Sequence, residues 1–348
     1  SIYDKKQACL DSWGLRIVSP KLEMLEIPFS MPGKKLKYAP GLVSKRIDFD
    51  DMLVNKLDNE YCTFIQGAKI KSINRNGSIE IDYESNNIQA QKIRSEIVIG
   101  ADGARSIVKK SFLDEPMDRK HHCAGVRAYY AGVKGMHKKN YIELHFLKEV
   151  SPGYFWIFPL PDGKANIGLG ILSKDVSEKK IDLKKCLREL VKTSPLLKDR
   201  FEGAEQIGNT MGWGLPMGSK KRNLVSDRVI LTGDAASLID PFTGEGIGNA
   251  MISGKKAAEM SVKALSVKNF SAGFLKEYEK SVYHSLWQEL SLSHILQRLL
   301  KYPFLFNFIV RKANRNKTLK EMLINMFVDL DIRQRLKSPS FYFKLLFN

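Results

Sequence analysis

The chain has 348 residues, 43% of them hydrophobic and 27% charged, which is typical of a soluble globular protein with room for two domains. Its 56 Lys and Arg residues exceed its 38 Asp and Glu residues, and the formal charge of +18 favours an anionic partner such as a phospholipid surface, a phosphorylated substrate or nucleic acid. The alternative is that the lysines simply cover a solvated surface. Four widely spaced cysteines and the lack of a long apolar run argue against a disulfide framework, a zinc site, a secretory leader and a membrane-spanning helix.

The first sixty residues are predicted to contain two short helices separated by strands. Residues 2–13 have a helix-like pattern, whereas residues 16–43 are punctuated by prolines and are predicted as short strands and loops. Residues 42–46 are predicted as a strand that leads into a helix with Asp48 as its N-cap. Arg46 precedes this helix, where it is either a ligand of a cofactor phosphate or an ordinary surface arginine. The apolar residues of the helix are expected to face inward: Phe49, Met52, Leu53 and Leu57.

Residues 63–99 are predicted as a meander of strands. Asn76-Gly77 is a strong hairpin signal. The alternation that follows, at Ile79, Ile81 and Tyr83, predicts a half-buried strand.

A short apolar strand at residues 97–99 runs directly into the sequence GADGARS. Gly100 and Gly103 permit a tight turn from the strand into a helix, and Asp102 can accept hydrogen bonds from backbone amides or from a ribityl chain. Arg105 supplies a fixed positive charge for a phosphate. The motif is weak alone and becomes specific when a second strand-to-helix turn with an acid accompanies it.

Residues 120–175 change to the alternating pattern of strands, with strands predicted at 124–133 and 141–147. A hairpin is predicted over residues 152–170. A period of two places three aromatic side chains on one of its faces, namely Tyr154, Trp156 and Phe158. Such a row is either part of a core or the wall of a ligand site. Gly168 and Gly170 of the return strand are expected to leave open space opposite the row, which favours an apolar cavity.

A helix is predicted at residues 183–193. The second strand-to-helix turn comes later in the chain, after a strand at residues 229–231. Val229–Leu231 is a short apolar strand, and Gly233-Asp234 and the loop PFTGEG lead into a long helix rich in small residues. The glycines of the loop allow a flat ligand to approach the backbone closely, and the helix N-terminus offers about half a positive charge. The pattern favours a ring that becomes anionic when reduced, as flavin does. The alternative is a strand–turn–helix unit that binds nothing.

The tail, residues 271–348, is predicted to be mostly helical, with a break at Tyr302-Pro303-Phe304. Apolar and basic residues alternate around this break. Such a segment either lies in a membrane interface or docks on its own domain.

The two turns, at residues 100–106 and 233–248, resemble those of the two-domain FAD enzymes related to hydroxybenzoate hydroxylase. The hairpin sequence GYFWIFPLPDGKANIGLG resembles the YxWxFPxxxGxxNxGxG signature of the geranylgeranyl reductase family. Residues 46–50, RIDFD, with Leu53 after them, resemble the RxxFDxxL stretch of the same family. The order and spacing of these matches agree over residues 42–265.

The resemblance implies an α/β fold with two domains. A Rossmann-like FAD-binding domain, at residues 42–115 and 221–270, would interleave with an antiparallel-sheet substrate domain at residues 16–41 and 116–220. A helical region would follow at residues 271–348. In that family FAD lies extended across the nucleotide-binding domain, and the aromatic hairpin covers a hydrophobic tunnel for the prenyl chain.

The resemblance also implies residue roles. Asp234 would hold the ribityl chain, Gly246 and Ile247 would face the flavin ring, and Asp102 would lie near the ribityl and pyrophosphate groups. The residues expected to contact FAD are Arg46, Gly100, Asp102, Gly103, Arg105, Gly233, Asp234, Pro241, Gly244, Gly246 and Ile247. The residues expected to contact substrate are Tyr154, Trp156, Phe158, Pro159, Asn166, Gly168 and Gly170. The proton donor is not assigned, and no metal site is expected.

The sequence departs from the family at its start. Family members begin with a strand and a GxGxxG turn that cradles the FAD pyrophosphate, followed by a Cys-Gly motif beside the flavin. Neither motif is present, and the first residue is Ser1 rather than methionine. The expectation is therefore that about one βαβ unit of a longer gene product is missing, which leaves a sheet edge exposed.

The function implied by the resemblance is FAD-dependent hydrogenation of C=C bonds in a prenyl (geranylgeranyl-type) chain on a lipid or isoprenoid. Flavin N5 would deliver hydride to one carbon and a proton would reach the other, in a dry tunnel. The electron donor is left open between NAD(P)H, ferredoxin and a quinol. The expected location is the cytoplasm, peripheral on an anionic membrane, with no nucleic-acid partner.

Two other hypotheses stay open. A flavin-dependent monooxygenase or halogenase would use the same scaffold and let the reduced flavin meet oxygen. A non-catalytic lipid-binding protein would have lost its flavin, and the protein purified from the intact gene would then be colourless.

Overall fold

The structure is a computed structural model that describes residues 9–30, 36–58, 60–85 and 88–316, together with Lys320. This part of the chain divides into two compact units, each assembled from separate stretches of sequence. The described residues of the first unit fall within 9–56, 124–213 and 298–316, together with Lys320, and those of the second within 57–123 and 214–297.

Both units contain runs of consecutive strands and runs of consecutive helices. The described strands are β1 (Cys9–Ser12), β2 (Gly14–Val18), β3 (Met24–Pro28), β4 (Gly41–Ser44), β5 (Lys69–Asn76), β6 (Ser78–Ser85), β7 (Ile88–Ser95), β8 (Val98–Gly100), β9 (His122–Ala131), β10 (Ile142–His145), β11 (Tyr154–Leu160), β12 (Lys164–Leu172), β13 (Glu205–Pro216), β14 (Val225–Ser226) and β15 (Val229–Leu231). The described helices are α1 (Arg46–Val54), α2 (Ile107–Phe112), α3 (Ser173–Glu178), α4 (Leu183–Thr193), α5 (Lys198–Phe201), α6 (Ile247–Val267), α7 (Ala272–Leu299) and α8 (Pro303–Arg315).

A seven-stranded sheet forms the centre of the first unit, in the order β13-β9-β12-β11-β10-β2-β3. β10 pairs with β2 in parallel, whereas β2 with β3, β10 with β11 and β11 with β12 are antiparallel. The β11–β12 pair is the hairpin predicted over residues 152–170, with Trp156 opposite Gly168. A separate ribbon pairs β1 with β4.

The hairpin supplies one face of the core of this unit, because successive residues of a strand point to opposite faces. Phe155 and Ile157 of β11 are fully buried and belong to the same apolar cluster as Leu187 and Leu190 of α4. The residues that alternate with them are half-buried on the other face, namely Tyr154, Trp156 and Phe158. The helix predicted at residues 183–193 coincides with α4.

A second apolar cluster lies where α8 packs on the edge of this sheet. Val310 and Ala313 of the helix are buried against Leu15 of β2 and against Leu25 and Ile27 of β3. The predicted break near residue 302 is confirmed, since α7 ends before it and α8 begins at a proline. Proline is well suited to this first helical position, where its missing N–H has no partner to lose.

A buried ion-pair network connects Arg200 of α5 to β10 and β2 of the seven-stranded sheet. The Glu143 carboxylate, 0% exposed, receives two hydrogen bonds from Arg200, from Nη1 at 2.7 Å and Nη2 at 3.0 Å. Arg16 Nη1 lies 3.3 Å from the same carboxylate, and His145 Nε2 lies 3.0 Å from it. Burial by itself would raise the pKa of Glu143, but the hydrogen bonds from His145 and Arg200 and the charge of Arg200 lower it to about 2.

Three predictions for the N-terminal region are wrong. Cys9–Ser12, within the stretch predicted as a helix, is strand β1, and the pairing with β4 outweighs a short helical pattern. The N-cap of α1 is Lys45 rather than Asp48, which lies in the first turn. No residue of α1 is buried, so its apolar residues do not form the expected inward face.

The second unit contains two three-stranded sheets, in the orders β14-β15-β8 and β5-β6-β7. β15 and β8 are parallel, and β8 is an edge strand of its sheet. The predicted meander is confirmed: β5 and β6 pair with Asn76 opposite Ser78, and Gly77 turns between them at φ +73°. One apolar core joins Ile73 and Ile79 of the meander with β15, α6 and α7.

The Tyr278 hydroxyl of α7 donates a buried hydrogen bond of 2.6 Å to the Leu231 carbonyl at the end of β15. Burial raises the pKa of Tyr278 well above its usual range, so the hydroxyl keeps its proton. This bond helps to fix the position at which β15 ends.

The boundaries of the two units differ from the domain boundaries expected from sequence. Residues 42–56 belong to the first unit, whereas they were expected in the FAD-binding domain. Residues 271–297 belong to the second unit rather than to a separate helical region, because α7 contributes Leu275, Tyr278 and Val282 to that unit's core.

Among the described residues, the four cysteines form no disulfide. Among the helices of the described residues, none combines the length and the apolar character that a bilayer crossing requires.

The Arg200→Ala variant is expected to destabilise the protein by about 3 kcal/mol, because it leaves a buried carboxylate without its bidentate partner. The folded-state pKa of Glu143 lies near 2, below its ordinary value of 4.5. The ionised Glu143 carboxylate therefore stabilises the folded protein fully above pH 4.5, and this stabilisation is lost as the pH falls toward 2. In the Arg200→Ala variant the pKa of Glu143 should rise, so the loss of unfolding free energy on acidification should begin at a higher pH. Urea unfolding at a series of pH values measures both effects.

The matched control is Arg188→Ala, which removes an exposed arginine from α4 and should change the unfolding free energy by less than about 0.5 kcal/mol. Equal stabilities for Arg200→Ala and Arg188→Ala would contradict the stabilising role of the network.

Candidate functional site

The two acid-bearing turns leave neighbouring parallel strands at the same edge of a sheet. Leu231, the last residue of β15, lies opposite Gly100, the last residue of β8. Thr232 N donates to the Gly100 carbonyl at 2.9 Å, which continues the ladder into the turns. The carboxyl edge of a parallel sheet is where ligands of α/β proteins bind, so the pairing brings both predicted motifs to one place.

The first turn is held by two side chains that cap α2. Asp102 Oδ2 accepts hydrogen bonds from Ile107 N at 2.7 Å and Val108 N at 3.2 Å. Ser106 Oγ accepts one from Lys109 N at 2.8 Å. The capping role of Asp102 is local and intramolecular. Its predicted contact with FAD stays a prediction.

Glycines of this turn are required by close packing and by backbone conformation. A Cβ at Gly100 would lie 2.8 Å from Leu231 Cδ2 and 2.9 Å from Val108 Cβ. Gly103 has φ +74°, in the left-handed region that favours glycine. The strand, the turn and α2 therefore pack together as closely as the sequence GADG implies.

Two side chains of α6, buried Ser253 and half-buried Asn249, hold the second turn in place. Gly233 N donates to Ser253 Oγ at 3.1 Å, and Asn249 Nδ2 donates to the Leu238 carbonyl at 2.7 Å. A Cβ at Gly246 would lie 3.2 Å from Asp234 Oδ1. The Asp234 carboxylate thus lies beside the N-cap of α6, the residue Gly246.

Asp240 organises the PFTGEG loop and was not identified from sequence. Its Oδ1 accepts hydrogen bonds from Phe242 N at 2.9 Å, Thr243 N at 2.8 Å and Thr243 Oγ1 at 3.1 Å. Its backbone N–H donates to the Glu245 carbonyl at 2.8 Å. An aspartate directly before Pro241 is a known turn signal, so the sequence carried this information.

A cavity of about 460 Å³ in the second unit is lined by residues of both turns. Among the predicted FAD ligands, Arg105 and Asp234 line it. The other lining residues are Ala104, Ser106, Lys109, Lys110, Asp114, Glu115, Pro116, Met117, Asp118, His121, His122, Pro216, Arg222, Ala235 and Ser237. The structure therefore brings one predicted FAD ligand of each motif to a common cavity.

A basic side chain links the two motifs inside this cavity. Lys109 Nζ lies 3.2 Å from Ser237 Oγ and 3.4 Å from Glu115 Oε2. Burial lowers the pKa of Lys109, and the nearby Glu115 carboxylate opposes that shift. Arg222 Nε lies 3.2 Å from Glu115 Oε1. Sequence reasoning missed Lys109, Glu115 and Arg222, because only the tertiary fold brings them together.

Two neighbouring histidines complete the cavity wall. His121 Nδ1 lies 2.7 Å from Ser219 Oγ, and its Nε2 lies 3.9 Å from Asp118 Oδ2. Burial lowers the pKa of His121 and of His122, so both rings are neutral near pH 7. Within the described residues no cluster of three His, Cys, Asp or Glu side chains could hold a metal ion.

Pro241, Gly244 and Ile247 lie in the second unit without lining the cavity, whereas Arg46 and the predicted substrate residues lie in the first unit. Arg46 is exposed on α1 and forms an i,i+4 ion pair with Asp50 at 3.0 Å. The predicted substrate residues lie on the hairpin: Tyr154, Trp156, Phe158 and Pro159 on β11, and Asn166, Gly168 and Gly170 on β12.

The expectation of open space opposite the aromatic row is wrong. The Trp156 ring lies over Gly168, where a Cβ would overlap the ring and the Val126 carbonyl. A Cβ at Gly153 would overlap the Gly170 carbonyl. Gly153 and Gly168 are required because backbone groups, and at Gly168 also the Trp156 ring, occupy the space that a Cβ would fill. Trp156 Nε1 also donates to Asn166 Oδ1 at 3.1 Å, so the ring is fixed from two sides.

Comparison with known families supports one assignment. Residues 122–208 match the family model described as the geranylgeranyl reductase catalytic domain. The digeranylgeranylglycerophospholipid reductase of Methanocaldococcus jannaschii is 31% identical over 285 residues, covering 78% of this chain and 68% of that protein. Its counterparts in Methanosarcina mazei and Methanococcus vannielii are each 30% identical, and the chain covers 70% and 65% of their lengths. The chain thus spans about two thirds of the length of these relatives.

Solved structures show the same fold at low sequence identity. A geranylgeranyl bacteriochlorophyll reductase-like protein from Thermoplasma acidophilum superposes with a TM-score of 0.75 at 19% identity, covering 94% of this chain and 79% of that one. A flavin-dependent brominase superposes with a TM-score of 0.69 at 18% identity, covering 92% and 78%. These likenesses establish the α/β fold expected from the sequence.

Asp102→Ala is expected to lower the unfolding free energy by about 1 kcal/mol, because the first amides of α2 lose their acceptor. Chemical denaturation measures the change. The control Asp50→Ala removes a carboxylate whose described partner is an exposed arginine and should cost at most about 0.5 kcal/mol. Indistinguishable stabilities for the two variants would show that the cap contributes nothing.

Proposed function

This chain belongs to the geranylgeranyl reductase family, and from that premise we propose that it is an FAD-dependent oxidoreductase acting on CH–CH groups. Its substrate would be a geranylgeranyl-type chain on a glycerophospholipid, the substrate class in the names of its relatives. The observation that carries the proposal is the convergence of two acid-bearing turns on one cavity at the carboxyl edge of β8 and β15. In open α/β sheets, nucleotides bind at such an edge.

The residues at this edge fit FAD. Asp234 offers a carboxylate for ribityl hydroxyls, and it lies beside Gly246, where a Cβ would crowd it. The N-terminus of α6, a helix of 21 residues, presents amide groups that favour negative charge. Arg105, on the cavity wall, would face phosphate oxygens. FAD supplies the hydride chemistry when bound, and these residues would orient it and stabilise its charge.

The hairpin of the first unit is the proposed wall for the prenyl chain. Tyr154, Trp156 and Phe158 present a continuous half-buried aromatic face, and the Trp156 and Phe158 rings stack with centroids 6.1 Å apart. Because Trp156 is fixed by Asn166 and Gly168, little conformational entropy would be lost when an apolar chain contacts it. A flexible surface would bind the same chain more weakly.

We place the enzyme at the cytoplasmic face of an anionic membrane, as a peripheral protein. The net charge of +18 and the phospholipid class of the substrate support this location. NAD(P)H, ferredoxin or a quinol would serve as electron donor. An assay driven by dithionite therefore tests the chemistry without depending on the natural donor.

The test of the proposed function is anaerobic reduction of a digeranylgeranylglycerophospholipid by the FAD-loaded full-length protein, followed by mass spectrometry. Each reduced double bond adds two hydrogens to the product. Oxygen consumption coupled to a hydroxylated or halogenated product, or a protein that never retains flavin, would contradict the proposal.

Asp234→Ala in the full-length protein is expected to raise the dissociation constant for FAD about tenfold or more, because charge-assisted hydrogen bonds of roughly 1.5–3 kcal/mol are lost. Flavin absorbance after dialysis measures retention. Asp199→Ala, an acidic residue on α5, serves as the control and should retain flavin normally. Unchanged flavin content in Asp234→Ala would remove that residue from the site.

Trp156→Ala is expected to raise KM for long prenyl substrates about tenfold, the effect of losing roughly 1.4 kcal/mol of apolar contact, while flavin content stays constant. Steady-state kinetics with a long-chain and a short-chain substrate, alongside flavin absorbance, separates the two effects. The exposed Tyr61→Ala variant is the control. A parallel loss of flavin would identify Trp156 as a residue of the core only.

A further inference from the structure

Helix α8 has one buried face and one exposed face, and the buried face fixes its orientation in the first unit. Val310 and Ala313 are buried in the cluster formed with β2 and β3. Asn307 Oδ1 accepts a hydrogen bond from Lys21 N at 3.0 Å, and Asn314 Nδ2 donates to the Met24 carbonyl at 2.7 Å. The helix therefore lies flat on the sheet edge, held along its length.

The opposite face of α8 carries aromatic and basic residues in one stripe. Phe304, Phe308, Arg311 and Arg315 follow each other at spacings of four, three and four, which aligns them on a helix. Phe304 is 73% exposed and Phe308 is 44% exposed. Residues 301–316 contain no acidic residue, and the bases in this stretch are Lys301, Arg311, Lys312 and Arg315.

The turn between β2 and β3 extends this surface. Leu22 has φ +65°, a left-handed conformation that is unfavourable for leucine, and its side chain is exposed. Hydrogen bonds between Ser19 and both Leu22 and Glu23 hold the turn in this shape. The Lys21–Asn307 bond places the turn next to α8. An apolar side chain is thus displayed beside the stripe at a cost in backbone strain.

Glu23 is the acidic residue of this turn, and it is engaged by the helix. Arg311 Nε and Nη2 lie 3.0 and 2.8 Å from Glu23 Oε1. The charge of the surface therefore stays positive, since one acid meets the four bases of residues 301–316 and Lys21 on the turn. We define the α8 surface as Phe304, Phe308, Lys301, Arg311, Arg315, Leu22 and Lys21.

We propose that the α8 surface docks this protein on an anionic phospholipid membrane. Exposed aromatic side chains among lysines and arginines, on a helix that lies flat, are the features that insert into the boundary between headgroups and acyl chains. The positive charge complements anionic headgroups. The inference rests on the proposed function, because a reductase of phospholipid-bound chains must take its substrate from a membrane.

The test is co-sedimentation of the purified full chain with phosphatidylcholine vesicles that contain or lack phosphatidylglycerol. We expect binding to the vesicles with phosphatidylglycerol and much weaker binding to phosphatidylcholine alone. Phe304→Ser/Phe308→Ser should reduce binding at least tenfold. Lys301→Gln/Arg315→Gln should reduce it on phosphatidylglycerol vesicles only, by about fivefold for each charge.

The matched control is Tyr61→Ser/Phe64→Ser, which removes two aromatic side chains that are 81% and 54% exposed elsewhere in the chain. It should bind vesicles like the unaltered protein. Circular dichroism and thermal unfolding of every variant establish that the fold is kept. Equal binding by the Phe304→Ser/Phe308→Ser variant and the control, or no preference of the unaltered protein for anionic vesicles, would overturn the proposal. If a protein or another part of this chain covers the α8 surface, the unaltered protein will show no preference for anionic vesicles.

Vesicle binding and reductase chemistry are separate readouts. We expect Phe304→Ser/Phe308→Ser to keep its flavin content and its turnover of a detergent-dispersed substrate, and to lose activity on substrate held in vesicles. Failure of the proposed function would remove all turnover and leave vesicle binding intact. Failure of the docking proposal would leave turnover on vesicles unchanged in the variant.

Discussion

The parallel pairing of β8 and β15 is the constraint on which the second unit depends. It places Gly100 opposite Leu231, so that two turns separated widely in sequence begin side by side. Each turn then passes into a helix, and Lys109 of the first helix reaches Ser237 of the second turn. The cavity exists because these turns diverge from one sheet edge. The strand pairing itself is protected by burial, since all three residues of β15 are buried.

The strands that carry the motifs were predictable because their signals are local. Short apolar runs before GADG and GDAA predicted β8 and β15, and a period of two predicted the hairpin of β11 and β12. The strand at Cys9–Ser12 was not predictable, because a short apolar pattern fits a helix and a strand equally and only pairing with β4 decides between them. The same limit explains the N-cap of α1, where local preferences for Asp48 yield to the path of the preceding strand.

The site was predictable in part. Asp234 and Arg105 line the cavity, as a motif-based argument could foresee. Lys109, Glu115 and Arg222 were not foreseen, because their ion pairs join segments that no sequence pattern links. The space expected opposite Trp156 was judged from glycine alone. A glycine in a strand can also mark the close approach of another group, and at Gly168 that group is the indole ring of Trp156.

The close packing around Gly246 limits which residues can replace it. Any side chain at this residue would meet the Asp234 carboxylate and the Ile239 side chain, since a Cβ there would lie 3.2 Å from each of them. To accommodate a substitution there, the Asp234 carboxylate and the Ile239 side chain would have to shift by a few tenths of an ångström. The surroundings of Asp234 are therefore changed more readily through residues near Gly246 than at Gly246 itself, where a Cβ would be closer than an ordinary contact.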